Sequence, residues 1–290
     1  MILIDFQQIM IANLSRQLGS HTDAPLDESM LRHMVLNSLR AIRMKFKDFN
    51  GDIVIACDSR SNWRKKVYPY YKANRAKKRE ESGMDWKTIF ESFAVIKAEL
   101  KEFFPYRVIE VDGAEGDDVI GVLANHFGSD LVMGFDRVDI KIVSGDKDYA
   151  QLQKYDNVSQ WDHVNKRDIR VGNAKRFLAE QIIRGDTGDG VPNFLSDDDV
   201  LVTAGKRQKP VMEAKLDDYI KSYPDNPASE TLLRNWKRNQ QMIDLDFVPE
   251  DIRRQVLEQY ESEAGKTRAK LVNFFISRGL KNLHSSINDF

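Results

Sequence analysis

The chain has a single cysteine, Cys57, among 290 residues. That excludes an internal disulfide and a cysteine-rich zinc site, and it fits a reducing compartment. Cys57 sits inside an apolar run and reads as a small core residue. No stretch approaches the ~20 apolar residues that a membrane span requires, and the short N-terminal run Ile2-Leu3-Ile4 ends at Asp5. The expectation is a soluble, cytoplasmic protein with no membrane partner. The five histidines, His21, His33, His126, His163 and His284, show no H-x-x-x-H spacing and read as surface or satisfied side chains. The chain also lacks a G-x-S-x-G elbow, a Walker-type loop and a G-x-G-x-x-G fingerprint, so acyl transfer, nucleotide hydrolysis and dinucleotide chemistry are without their parts. There is no repeat at a fixed period, no heptad seam and no low-complexity tract.

Net charge is scarce too. Lys plus Arg (44) nearly balances Asp plus Glu (45), leaving −1, an average that argues against a polyanionic partner. The average hides segregation. Residues 60–79 carry Arg60, Arg64, Lys65, Lys66, Lys72, Arg75, Lys77, Lys78 and Arg79 with no acid among them, a strip suited to phosphate oxygens. Tyr68, Tyr70 and Tyr71 lie within it. The segment reads as too polar for core, exposed and partly mobile, with tyrosines available to stack on unpaired bases.

The chain is rich in carboxylates placed where strands are expected to end. Asp5 follows Ile2-Leu3-Ile4, Asp58 follows Ile53 to Cys57, and Glu115 with Asp117 and Asp118 follows Val108 to Val111. Asp146 and Asp148 follow Ile140 to Val143, and Asp186 with Asp189 forms a further group. Helical periodicity is seen at 27–48, through Leu31, Met34, Val35, Leu39, Ile42 and Phe46, and at 85–104, through Trp86, Ile89, Phe93, Ile96, Leu100 and Phe103. Further helices are expected at about 116–126 and at 148–152, with strands near 107–111 and 139–144 and an edge strand at 158–162. Alternating strands and helices imply an α/β fold with a mostly parallel central sheet flanked by helices. Residues 1–172 form this domain, and 173–290 read as a smaller all-helical C-terminal domain, with helices at 174–184, 211–222, 228–241, 248–260 and 265–278.

In such a sheet the carboxyl ends of the strands share one edge, where ligands collect. Each acidic group alone has a plain explanation, since acids favour first helical turns and Asp146 suits a helix cap. Jointly they do not, because carboxylates continuing buried apolar strands cost desolvation unless something neutralises them. Hard divalent cations do so, and oxygen donors without imidazoles suit magnesium. The loop from Arg184 to Pro192 (Gly185, Gly188 and Gly190 around Asp186 and Asp189) and the following Lys206, Arg207 and Lys209 suit contacts with a duplex backbone.

Asp5, Asp58-Ser59, Tyr71-Lys72-Ala73-Asn74-Arg75, Glu115-Gly116-Asp117-Asp118, Ser144-Gly145-Asp146-Lys147-Asp148 and Gly185-Asp186-Thr187-Gly188-Asp189 resemble, in order and spacing, the motifs of the 5′-nuclease or flap endonuclease family. The likeness extends to the branch of bacteriophage ribonucleases H and runs the length of the chain. It implies a PIN-like 5′-nuclease fold with a helical arch from 63 to about 95. It implies two magnesium ions, for which manganese may substitute: the first among Asp5, Asp58, Glu115 and Asp118, the second bordered by Asp117, Asp146, Asp148, Asp186 and Asp189. Lys72 matches the arch lysine at the scissile phosphate, beside Arg75, and Asp118 joins them as a catalytic residue. Arg64, Lys65, Lys66, Tyr71, Lys77, Lys78 and Arg79 would line the nucleic-acid path.

The implied activity is 5′ to 3′ exonuclease, 5′-flap endonuclease and ribonuclease H cleavage of DNA and RNA-DNA duplexes, leaving a 5′-phosphate, in removal of lagging-strand primers. A single-strand-binding protein and other replication proteins are the implied partners, the chain is expected to be a monomer, and the compartment would be the host cytoplasm if the chain is phage-encoded. The alternatives are a non-catalytic structure-specific DNA-binding protein and a PIN-like endoribonuclease. One departure from the family is Phe194-Leu195-Ser196-Asp197-Asp198-Asp199, where a Gly-Ile-Gly-type hairpin and its potassium site are usual.

Overall fold

The computed structural model describes residues 1–19, 27–49, 51–128 and 138–290, without the side chains of Lys77 and Lys78. Six strands form one sheet: β1 (Ile2–Asp5), β2 (Ile53–Ala56), β3 (Arg107–Ile109), β4 (Ile140–Val143), β5 (Val158–Asp162) and β6 (Arg167–Ile169), in the order β3-β2-β1-β4-β5-β6. All neighbours pair parallel except β5 with β6. The expected strand at 158–162 is therefore one in from the edge, and the antiparallel β6 takes the edge itself. β1 and β2 are buried at every position, as strands covered by helices on both faces must be.

Alternation along the strands divides the interior. Ile2, Ile4, Ile53, Ile55 and Val143 face one core, and Leu3, Val54, Ala56, Ile140 and Ile142 face the other. The first face is covered by α1 (Phe6–Leu18), α2 (Glu28–Lys45) and α5 (Trp86–Phe103). α1 was not foreseen at the sequence level. It starts because the Asp5 carboxylate, having ended β1, accepts the Gln8 N–H at 3.0 Å as an N-cap. α5 is capped by Asp85 and stops before Pro105, which forces Phe104 into an extended conformation. Between β2 and α5 lie α3 (Trp63–Val67) and α4 (Asn74–Glu81). The second face is covered by α6 (Gly116–Gly128) and a 3₁₀ segment, Lys147–Lys154, that replaces the expected helix at 148–152.

After residue 173 come α7 (Ala174–Arg184), α8 (Leu216–Ser222), α9 (Glu230–Ile243), α10 (Glu250–Ser262), α11 (Leu271–Ser277) and α12 (Lys281–His284). They serve three cores. Ile182, Ile183, Phe194, Leu216, Tyr223 and Trp236 make a small core among α7, α8 and α9. Ile252 and Val256 of α10 join the second face, while Phe274, Phe275, Leu283 and Phe290 join the first. No helix among the described residues is long and apolar enough to cross a membrane.

The chain runs from β1 outward through β2 to β3, then returns to place β4 on the other side of β1. This is the switch point at which a crevice opens beyond the strand ends. Register puts Asp5 level with Ala56 and one residue beyond the Ile4–Val143 pair, so Asp5, Asp58 and Asp146 emerge side by side.

Candidate active site

Each carboxylate is placed by the start of the element that follows its strand. Asp58 Oδ1 accepts the Gly116 N–H at 2.8 Å. A Cβ on Gly116 would sit 3.3 Å from both Ala56 O and Asp58 Oδ1, so glycine is what lets α6 begin against the end of β2. Asp146 caps the 3₁₀ segment through the Asp148 N–H at 3.0 Å. Ser144 Oγ donates to Asp5 Oδ2 at 3.0 Å, tying the ends of β1 and β4 together. Asp186 is held by the Gly188 N–H at 2.8 Å in a loop that Gly185 (φ +69°) makes possible.

The acids divide by how their charge is met. Asp5, Asp117, Asp146 and Asp148 make up an uncompensated set. Burial, followed by repulsion from Asp58 and Asp146, pushes Asp5 up to about 6. Burial, followed by Asp146 and Asp186, pushes Asp148 up to about 7. Asp117 is raised well above the ordinary range by burial and by Asp5, and Asp58 is raised by burial and then Glu115. Asp146 is raised by burial and by Asp189 and Asp186, so it belongs to both a group around Asp5 and a group around Asp148. Neutral donors serve here: Tyr149 OH toward Asp117 Oδ1, and Gln181 Nε2 to Asp148 Oδ1 at 2.5 Å.

The remaining acids are matched by protein cations. Burial disfavours the Glu115 carboxylate, but Lys72 and Arg64 overcome it and hold the group down at about 2. Lys72 Nζ lies 2.5 Å from Glu115 Oε1 and 3.3 Å from Asp189 Oδ2. The Tyr71 hydroxyl lies between Glu115 Oε2 and Asp189 Oδ2, at 2.8 and 2.9 Å, and Arg75 reaches Asp189 Oδ1 at 2.5 Å. Lys72 takes a left-handed backbone (φ 56°) to make these contacts, with its N–H on Asp189 O at 2.7 Å.

Three expectations change. Asp118 is 0 % exposed: it pairs with Arg64 Nη2 at 2.8 Å and accepts from Trp63 Nε1 at 3.1 Å and the Glu115 N–H at 2.9 Å. Its carboxylate anchors α3 through Arg64 and Trp63, and Asp117 takes the place beside Asp5 that was expected of Asp118. Arg64, at 2 % exposure, is no nucleic-acid contact, because its guanidinium is spent on Asp118, Glu115 and Met242 O. Tyr71 and Tyr68 are likewise buried, so neither ring is open to stack on a base. The strip of residues 60–79 is thus anchored at one end by Trp63, Arg64, Tyr68 and Tyr71.

Lys65, Lys66 and Arg79 are exposed, and Arg79 lies over the Phe90 ring at 5.3 Å. The side chains of Lys77 and Lys78 lie outside the described residues. Lys206, Arg207 and Lys209 are exposed on a loop whose backbone is held by Asn193 and Ser196, with Lys206 bound to Asp199 at 2.8 Å. Residues missed at the sequence level are Trp63, Tyr149, Gln181 and the α9 amides Asn235 and Asn239. The two asparagines pin Phe194 O, Ser196 O, Ile182 O and Pro192 O, and so hold the Asp186–Asp189 loop. Tyr149 lay next to a quoted motif, but only its partners reveal its use.

Residues 8–182 match the model of the 5′-3′ exonuclease N-terminal resolvase-like domain, and residues 172–290 match that of the T4 RNase H C-terminal region. The chain belongs to the 5′-3′ exonuclease family. It is 33% identical to the ribonuclease H of Enterobacteria phage T4 over 300 aligned residues, covering 99% of this chain and 95% of that one. A flap endonuclease, Xni, of Shewanella sp. strain MR-4 is 29% identical over 141 residues, covering 46% of this chain and 48% of the relative. The crystal structure of the T5 D15 protein, co-crystallised with metal ions, shares the fold at a TM-score of 0.61 and 16% identity, covering 91% of this chain and 99% of that one. As a member of this family the protein is a nuclease, a phosphodiester hydrolase.

The donor set fits divalent ions. The buried Asp5 and half-buried Asp117 carboxylates have raised pKa values and no ion pair among the described residues, so added positive charge would stabilise them. Among the described residues no three His, Cys, Asp or Glu side chains are gathered at direct-ligand spacing. Magnesium, which retains several waters and takes few direct protein ligands, suits so open a set.

Proposed function

We propose that the protein is a magnesium-dependent 5′ to 3′ exonuclease and 5′-flap endonuclease with ribonuclease H activity, removing RNA primers and adjacent DNA at lagging-strand fragments. The observation that carries this reading is the uncompensated set Asp5, Asp117, Asp146 and Asp148 directly beside the acids Glu115 and Asp189 that Lys72 and Arg75 pair. Asp5, Asp58, Asp117 and Asp146 would hold one ion, and Asp146, Asp148, Asp186 and Asp189 the other, with manganese an acceptable substitute. Bound ions supply Lewis-acid activation of water and phosphate. Lys72 and Arg75, which pair with Glu115 and Asp189, are the cations that would meet the scissile phosphate. Lys65, Lys66 and Arg79 follow the single strand, and Lys206, Arg207 and Lys209 the duplex backbone. Residues 1–172 are then the catalytic domain and 173–290 a helical DNA-binding domain, with the chain acting as a monomer and a single-strand-binding protein as a replication partner.

The names of two relatives, a ribonuclease H and a flap endonuclease, support the substrate class. The test is cleavage of end-labelled 5′-flap duplexes and RNA-primed templates. Short 5′ products are expected with magnesium or manganese and none with chelator. Flap binding in magnesium without any cleavage would favour the structure-specific clamp, and cleavage of single-stranded RNA alone would favour the endoribonuclease.

A further inference from the structure

Tyr149 follows Asp148 on the 3₁₀ segment, with its ring packed into the second core at 1 % exposure. Its hydroxyl lies 2.5 Å from Asp117 Oδ1 and 3.5 Å from Asp5 Oδ2. These two carboxylates come from different elements, the first turn of α6 and the end of β1. Asp5 is already fixed, Oδ1 by the Gln8 N–H and Oδ2 by Ser144. Asp117 receives its one hydrogen bond among the described residues from Tyr149, and on Oδ1 alone.

We infer that Tyr149 is a positioning residue for the cation site. Its hydroxyl fixes Asp117 through Oδ1, so that Oδ2 is the oxygen presented to the ion, and braces that carboxylate against Asp5. This rests on the metal reading proposed above.

A buried tyrosine hydroxyl generally finds some partner, and self-satisfaction is the competing explanation. One observation favours the positioning role. Both acceptors belong to the uncompensated set, not to the neutral backbone that would satisfy the phenol equally well. Hydrogen-bond partners of metal-binding carboxylates typically matter by 10- to 100-fold in ion affinity.

The test is manganese binding to the nucleic-acid-free protein, read from the EPR signal of the free ion. Tyr149→Phe keeps the ring and removes only the hydroxyl. It is expected to weaken the tighter site by ~10-fold or more, with the thermal midpoint in chelator unchanged. In the Asp117→Asn background the same change should cost nothing further, because the residue acts through Asp117, and this comparison decides even if removing the hydroxyl lowers the midpoint. Parent-like affinity in Tyr149→Phe, or losses that add in the double variant, would overturn the inference. A parent protein that takes up no manganese overturns the metal reading itself, which is a separate failure.

Discussion

Two acidic regions that meet at the first turn of α6 are built on opposite plans. Around Asp118 and Glu115 the protein supplies its own counter-charge through Arg64 and Lys72, with Trp63 and Tyr71 as neutral donors beside them. Around Asp5, Asp117, Asp146 and Asp148 it supplies hydroxyls, amides and more carboxylates. Asp117 and Asp118 are adjacent, yet a helix turns successive residues to different faces, so one meets Asp5 and the other Arg64. A paired, buried acid is a structural anchor. An unpaired group of acids must instead be relieved by protonation or by an external cation.

The strongest way to break this comparison is Asp117→Asn. Activity on a 5′-flap duplex should fall by ~10³-fold or more, the several kcal/mol expected of a lost metal-ion contribution. The thermal midpoint in chelator should hold or rise, since repulsion is relieved, and the stabilisation by added magnesium should shrink. A drop in midpoint without loss of cleavage would place Asp117 with the anchors. Asp118→Asn should do the reverse. Leaving Arg64 buried without its partner is expected to cost ~3–5 kcal/mol, measurable in urea denaturation, and an unchanged unfolding midpoint with abolished cleavage would return Asp118 to the metal site. The smallest effect is expected at the boundary. Lys72→Ala should slow cleavage by ~10²-fold while weakening flap binding much less, and equal losses in both would make Lys72 a simple phosphate anchor.

The basic strip carries the same lesson. Arg64 and Lys65 are neighbours of like charge, and nothing in their spacing separates them. In the fold Arg64 is sealed in the interior while Lys65 is exposed. Arg64 can be sealed there because Asp118, Glu115 and Met242 O, from distant parts of the chain, converge on it. Tyr71 follows Arg64 inward, and Lys72 adopts a left-handed backbone to reach across to Asp189.

Read alone, the sequence determined the parallel sheet, the strand-end placement of the acids and the family, because hydrophobic period and motif spacing are local properties of the chain. It could not see α1, since its reading took the crossover helix to be residues 27–48 and left Asp5 only as the end of a strand, when the same carboxylate also caps the helix that follows. Only the tertiary structure decided which acids share a cleft, which are consumed by Arg64 and Lys72, and that Tyr149 reaches Asp117 from the 3₁₀ segment after β4. Charge neutralisation depends on distances between segments that are remote in sequence, and those distances exist only once the sheet has closed around the switch point between β1 and β4.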